Sequence, residues 1–135
     1  MDIASPAPAP AAPKPTILIV DDTPDNLKLL SGLLKESYKV KVANNGRKAL
    51  EIAAASPAPD LILLDVVMPD MDGYAVCAAL KKAPATRHIP VIFLTGRADE
   101  ADREHGFALG AVDYIAKPVD PPAVLRRVAA RIPPS

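Results

Sequence analysis

The stretch TILIVDD, from Thr16 to Asp22, contains the pattern that decides the fold. Its first five residues form a continuous apolar run of strand length, which is typical of a strand buried on both faces. The run ends at two aspartates. Two similar runs follow, LILL from Leu61 to Leu64 before Asp65, and VIFL from Val91 to Leu94 before Thr95. Such runs predict the inner strands of a parallel sheet.

Helical periods separate these strands. In the first of them, Leu27, Leu30 and Leu34 fall on one face, after Thr23 as a predicted cap and Pro24 at the first helical position. The same reasoning predicts four more helices, at about 45–56, after the turn at 68–73, at about 99–109 before Gly110, and from Asp120 to about 132 with Leu125, Val128, Ala129 and Ile132 facing inward.

Two more strands complete the pattern. Valine alternates with lysine between Tyr38 and Ala43, which predicts an edge strand with one face in water. A fifth strand is predicted at about 112–116, before Lys117. Five strand-helix units predict an α/β fold, a doubly wound parallel sheet with helices on both faces.

The chain of 135 residues is long enough for one domain of ordinary size. Five of its 16 prolines lie in residues 1–15, otherwise mostly alanine, which predicts a disordered tail without an apolar face to bury. We therefore expect a tail at 1–15, one folded domain at 16–132 and a short C-terminal tail at 133–135.

Composition excludes several classes of function. Sixteen basic and sixteen acidic residues give a net charge of zero, so no overall basic field holds nucleic acid or anionic lipid. The single cysteine, Cys77, cannot form an internal disulfide, and two histidines make no zinc cluster. No apolar run approaches a membrane span, and the N-terminus does not resemble a signal peptide. We expect a cytoplasmic protein that binds neither membrane nor nucleic acid.

Polar residues follow four of the predicted strands. Asp21 and Asp22 follow the first strand, Asp65 the third, Thr95 the fourth and Lys117 the fifth. In open α/β sheets the carboxyl ends of the strands form the ligand site, so these side chains are expected to converge. Three carboxylates beside one lysine imply a bound cation, and oxygen-only ligands favour Mg²⁺.

A phosphoryl group is the natural third member of such a site. Lys117 and the metal would balance its charge, and the Thr95 hydroxyl would donate a hydrogen bond to one of its oxygens. The first strand runs into Asp-Asp-Thr-Pro and not into a glycine-rich phosphate loop, so nucleotide binding is not predicted. A carboxylate beside a metal is a competent nucleophile, which leaves phosphoryl transfer to the protein as the predicted chemistry.

Five segments of the chain carry a family resemblance. They are ILIVDD at 17–22, LLD at 63–65, MPDMDG at 68–73, FLTG at 93–96 and YIAKP at 114–118. Together they resemble the receiver domain of response regulators in two-component signalling, over residues 16 to about 132.

The resemblance implies a role for each matching residue. Asp65 would be the phosphoacceptor, taking a phosphoryl group from a histidine kinase or a histidine phosphotransfer protein. Asp22, Asp65 and the backbone carbonyl of Val67 would bind Mg²⁺ directly, and Asp21 would act through a bound water. Lys117 would be the phosphate partner. The chain would then be no enzyme beyond its own phosphorylation and dephosphorylation.

The resemblance also implies a switch. Thr95 and Tyr114 would be the switch pair, with phosphorylation drawing Thr95 toward the phosphoryl oxygens and moving Tyr114 inward. The family implies the strand order 2-1-3-4-5 and a cis peptide bond between Lys117 and Pro118.

Two other classes of function remain as alternatives. One is a Mg²⁺-dependent phosphatase of the haloacid dehalogenase type, but these enzymes carry an Asp-x-Asp motif after the first strand, and here Asp21 is followed by Asp22 and Thr23. The other is a receiver-like adaptor that works without phosphate, although such proteins normally lack one of the acidic or lysine positions that this chain retains.

Charge on the last two helices suggests a phosphorylation-dependent homodimer. The fourth predicted helix is acidic and the fifth is basic. In a two-fold dimer, the fourth helix of one copy could therefore contact the fifth helix of the other. The alternative is two solvated helix faces, since exposed ion pairs contribute only about 0 to 1 kcal/mol each. The charged residues are Asp99, Glu100, Asp102 and Glu104 on the fourth helix, and Arg126, Arg127 and Arg131 on the fifth.

Overall fold

The computed structural model describes residues 14–96 and 100–133, in which strands and helices alternate. The five strands are β1 (Thr16–Val20), β2 (Lys39–Ala43), β3 (Leu61–Asp65), β4 (Val91–Thr95) and β5 (Asp113–Ala116). The five helices are α1 (Pro24–Leu34), α2 (Gly46–Ala54), α3 (Gly73–Lys82), α4 (Glu100–Ala108) and α5 (Pro121–Arg131).

All four strand pairings are parallel, and the sheet has the order β2-β1-β3-β4-β5. This confirms the predicted fold and strand order. Side chains of β1 alternate between two apolar layers: Ile17 and Ile19 pack with α1 and α5, whereas Leu18 and Val20 pack with α2 and α3. The continuous apolar run of β1 is explained by burial on both faces of the sheet.

The edge position of β2 is confirmed, because among residues 14–96 and 100–133 this strand pairs only with β1. Val40 packs against the layer formed with α1 and α5, as the alternation predicts. Val42, on the same face, is 43% exposed. Near its carboxyl end, β2 is therefore open to water on the face of Val42, whereas Ala43 on the other face is buried. Alternation identifies the inner face of a strand without showing how far a helix covers it.

The helix ends differ in part from the predictions. Thr23 and Asp120 occupy the N-cap positions of α1 and α5, but neither side chain makes a capping hydrogen bond. Asn45 and Asp72 do cap α2 and α3, each accepting a hydrogen bond from a backbone N–H three residues later at 2.8 Å. Gly110 follows α4, as predicted, and its φ of 108° lies in the left-handed region that favours glycine.

The prediction that Leu125 of α5 faces the core is wrong. Val124 and Val128 are buried, whereas Leu125 is 39% exposed. The apolar period therefore runs through Val124, and Leu125 lies at the border of the buried face.

Some predictions fall outside the described residues. Residues 1–13 and 134–135 contain nearly all of the two predicted tails, and Asp99 of the predicted fourth helix also lies outside, so the tail boundaries stay predictions. In the part of the chain that the structure describes, no helix is both long and apolar enough to cross a membrane.

Candidate functional site

Three carboxylates meet at the carboxyl edge of the sheet. Asp21 follows β1 and Asp65 ends β3, and these neighbouring strands pair Val20 with Leu64, so the two aspartates lie side by side. With Asp22 they bring one carboxylate oxygen each to within 4.8 Å of one another. Asp21 and Asp65 are buried and Asp22 is exposed. The three acidic residues therefore converge, as predicted.

Lys117 bridges the two buried carboxylates. Its Nζ lies 3.1 Å from Oδ2 of Asp21 and 3.1 Å from Oδ1 of Asp65. The backbone N–H of Lys117 donates to the carbonyl of Thr95 at 2.9 Å, which fixes the start of this side chain next to β4. The peptide bond between Lys117 and Pro118 is cis, as expected; a second cis bond, between Ser56 and Pro57, was not predicted.

Asp21 is fully buried and is held from three sides. Its Oδ1 accepts the backbone N–H of Thr23 at 2.9 Å, and its Oδ2 accepts Nδ2 of Asn26 at 3.2 Å as well as Nζ of Lys117. Asn26 was not predicted as a site residue. Its only signal in the sequence is a polar side chain in the first turn of α1, four residues after Asp22.

The electrostatics of the site leave excess negative charge. Burial raises the pKa of the Asp65 carboxyl to about 6, and the neighbouring charge of Asp21 adds to this, against lowering by Lys117 and by a hydrogen bond from the backbone N–H of Val67. Burial lowers the pKa of Lys117, but its hydrogen bonds to both aspartates and their negative charges together outweigh burial, so the pKa is raised. Lys117 therefore stays cationic while the carboxylates remain under-compensated, which favours a further cation.

Val67 lies at the mouth of the site. Its backbone N–H faces the Asp65 carboxylate, while its side chain is 62% exposed. Thr95 is buried at the end of β4, and Asp65 pairs with its neighbour Leu94 in the sheet. All the residues predicted for phosphate and metal therefore lie at one edge.

Tyr114 is not part of this carboxylate edge. It lies inside β5, buried against α4, where its hydroxyl donates to the carbonyl oxygen of Asp102 at 2.6 Å. The hydroxyl oxygen of Tyr74 on α3 is 3.5 Å away. Phosphorylation was expected to move Tyr114 inward by shifting an existing equilibrium, and Tyr114 is already inward in this structure.

Comparison with known proteins agrees with this architecture. A family model described as the response regulator receiver domain matches residues 17–129. A probable cyclic di-GMP phosphodiesterase of Vibrio cholerae is 54% identical over 113 residues, which are 84% of this chain and 25% of that protein. The chain thus spans about a quarter of the length of this curated relative.

Solved structures are similar over almost the whole fold. Chemotaxis protein CheY4 of Vibrio cholerae, at 28% identity, has a TM-score of 0.83 and matches 88% of this chain and 99% of its own. The receiver domain of the sensor histidine kinase PA1611 from Pseudomonas aeruginosa, at 31% identity, has a TM-score of 0.80 and matches 88% of this chain and 98% of its own; its structure has a magnesium ion in the active site cleft. The carboxylate edge and these similarities together show that the chain belongs to the response regulator receiver domains of two-component signalling.

Proposed function

We propose that this chain is a phosphoacceptor module that takes a phosphoryl group on Asp65 from a histidine kinase or a histidine phosphotransfer protein. The observation that carries the proposal is the buried Asp65 carboxylate beside Asp21, with the ammonium nitrogen of Lys117 3.1 Å from an oxygen of each. The phosphorylated form then presents a changed surface to a partner.

The transfer needs an ionised nucleophile. A carboxylate oxygen of Asp65 forms the new O–P bond while the N–P bond of the donor phosphohistidine breaks and its electron pair returns to the imidazole nitrogen. With a pKa of about 6, Asp65 is mostly ionised at neutral pH. We propose that Lys117 pairs with one phosphoryl oxygen and that the Thr95 hydroxyl donates a hydrogen bond to another.

The residues at this edge fit a magnesium ion. The donor set is oxygen only. Burial, and then the neighbouring charge of Asp21, raise the pKa of Asp65, and a divalent cation would stabilise the ionised form of this carboxylate. We assign direct binding to Asp22, Asp65 and the backbone carbonyl of Val67, and binding through a water to Asp21. When bound, the ion supplies charge neutralisation for the phosphoryl oxygens.

Acetyl phosphate with Mg²⁺ should add one phosphoryl group to the wild-type chain near neutral pH. Asp65→Asn should take up phosphate at least about 100-fold more slowly, because an amide is no nucleophile here. Intact-protein mass spectrometry measures the uptake and peptide mapping locates the group. Chelation of Mg²⁺ should suppress phosphoryl uptake by the wild type, and Asp22→Asn should suppress it although Asp65 is retained.

Asp60→Asn is the matched control for this experiment. Asp60 lies at the opposite edge of the sheet, where its carboxylate accepts the backbone N–H of Thr16 at 2.8 Å, a bond that an asparagine oxygen also accepts. This variant should keep the wild-type rate. Wild-type uptake in Asp65→Asn would contradict the assignment. No uptake from any donor would favour the phosphate-independent adaptor, and multiple turnover of free phosphate esters would favour the phosphatase.

The proposed chemistry of this chain stops at its own phosphorylation and dephosphorylation. The phosphodiesterase relative is about four times longer than the matched stretch, which covers 25% of it. We therefore propose that the receiver fold regulates an output and does not itself perform one.

The homodimer stays a prediction, and two of the three arginines proposed for its interface already have partners within the chain. Within the chain, Nη1 of Arg127 already pairs with Oδ1 of Asp113 at 2.7 Å, and Nη2 of Arg131 donates to the carbonyl of Val112 at 3.0 Å. Size-exclusion chromatography should show the phosphorylated chain as a dimer at low salt and as a monomer at high ionic strength, because salt screens exposed charges. A phosphorylated monomer at low salt would rule out the dimer.

A further inference from the structure

Most of the other aromatic side chains of the chain surround Tyr114 in its inward position. Its ring centroid lies 5.3 Å from that of Phe93 on β4 and 5.5 Å from that of Phe107 on α4. Tyr74 of α3 completes the group, 5.2 Å from Phe93, with its hydroxyl oxygen 3.5 Å from that of Tyr114. Offset and edge-on ring contacts of this kind stabilise one arrangement of the rings.

The hydroxyl group of Tyr114 is satisfied in this position. It donates to the carbonyl of Asp102 at 2.6 Å. Burial raises the pKa of this hydroxyl, with the Tyr74 hydroxyl adding to the effect, so it remains a neutral donor. A buried phenol with a partner carries no desolvation penalty for an unpaired polar group.

Gly106 leaves the space that the ring needs. A Cβ atom at this position of α4 would lie 2.7 Å from two carbons of the Tyr114 ring and closer still to its hydroxyl oxygen. Real Cβ atoms do not approach neighbours this closely, so a side chain at 106 and the observed Tyr114 conformer exclude each other. Gly32 in α1 is the opposite case, since a Cβ there would meet nothing within 4 Å.

We propose that Gly106 is a positioning residue for Tyr114: the absence of a side chain at 106 admits the inward conformer, and any larger residue there drives Tyr114 outward. The size of residue 106 thereby sets the balance between two conformers of a predicted switch residue. The consequence for partner binding rests on the proposed function, whereas the position of Tyr114 does not.

Acetylation of tyrosine hydroxyls by N-acetylimidazole measures this position in the full chain without any phosphodonor. In the wild type, peptide mass spectrometry should find Tyr114 protected. In Gly106→Ala the acetylation rate of Tyr114 should rise roughly tenfold or more, because a minor conformer of at most about 10% becomes the major one. Tyr38, buried with its hydroxyl donating to the carbonyl of Ile132 at 2.8 Å, is the internal standard and should stay protected.

Gly32→Ala is the matched control, a glycine-to-alanine change in a helix without a neighbour to displace. It should leave the acetylation of Tyr114 unchanged. Unchanged protection of Tyr114 in folded Gly106→Ala would overturn the proposal. If Gly106→Ala does not fold, the double variant with Tyr114→Val must recover folding by circular dichroism, since the conflicting ring is gone; an unfolded double variant would also overturn it. Failure of the proposed function would appear separately, as no uptake from acetyl phosphate.

Discussion

Gly73→Ala should lower the free energy of unfolding by about 3 kcal/mol, the upper end of the range for overpacking. Gly73 is the first residue of α3, and its backbone N–H donates to the carbonyl of Val66 at 2.8 Å. A Cβ there would collide with the carbonyl oxygen of Asp65 and lie 2.9 Å from Cα of Val66. These atoms are backbone, so no side-chain rotation can relieve the contact. Urea unfolding measures the loss.

The same substitution should also slow phosphoryl uptake. The backbone that must move belongs to Asp65, which ends β3 and carries a carboxylate of the site, and to Val66 directly after it. A displaced nucleophile loses rate even when the fold survives, because catalysis depends on the orientation of the reacting groups. Uptake from acetyl phosphate, measured at a temperature where the variant is folded, separates this effect from unfolding.

Alanine substitutions at two other helical glycines should have smaller or opposite effects on stability. A Cβ at Gly46 would lie 2.7 Å from a methyl group of Val76 and 2.9 Å from the sulfur of Met71, side chains that can shift, so Gly46→Ala should be milder than Gly73→Ala. Gly32→Ala meets nothing and should stabilise the chain by about 0.5 to 1 kcal/mol through helix propensity. Equal effects of alanine at Gly73 and Gly32 would refute the steric account.

The sheet and its carboxylate edge were predictable because both follow from hydrophobic patterning. A strand buried on both faces is apolar throughout, so the first polar residue after it marks the carboxyl end of the strand. Asp21 and Asp65 mark two such ends, and parallel pairing of β1 with β3 brings them together. Strand order has no comparable local signal, and it came from the family resemblance.

Features that depend on particular neighbours were not predictable in this way. Thr23 was expected to cap α1 with its side chain, but this side chain makes no capping hydrogen bond. The contact that Thr23 does make is through its backbone N–H, which donates to Asp21. The role of Asn26 and the exposure of Leu125 likewise depend on which groups pack against each helix. The inward position of Tyr114 requires Gly106, eight residues earlier, and no periodic pattern connects the two.

Asp65→Asn should stabilise the chain by about 3 kcal/mol at pH 8 in the absence of Mg²⁺, and by almost nothing near pH 4. Burial beside Asp21 raises the pKa of Asp65 from 3.8 to about 6, so the folded chain holds this proton more tightly than the unfolded chain. Unfolding therefore releases a proton between these values, and the stability of the wild type falls as pH rises through them. At about 1.4 kcal/mol per tenfold change in proton affinity, the full penalty is about 3 kcal/mol.

Asparagine has the shape of aspartate without its charge, so it removes the penalty and keeps an oxygen that accepts a hydrogen bond from Lys117. Urea unfolding in EDTA at several pH values between 4 and 8, for both proteins, measures the difference. Asp60→Asn should show no comparable gain, since Asp60 is exposed at the other edge of the sheet. Added Mg²⁺ should stabilise the wild type, because a cation that binds only the folded state shifts the equilibrium toward it. It should not stabilise Asp65→Asn, which lacks the Asp65 carboxylate as a ligand. A gain that is the same at pH 4 and pH 8 would mean that packing, and not the charge of Asp65, is responsible.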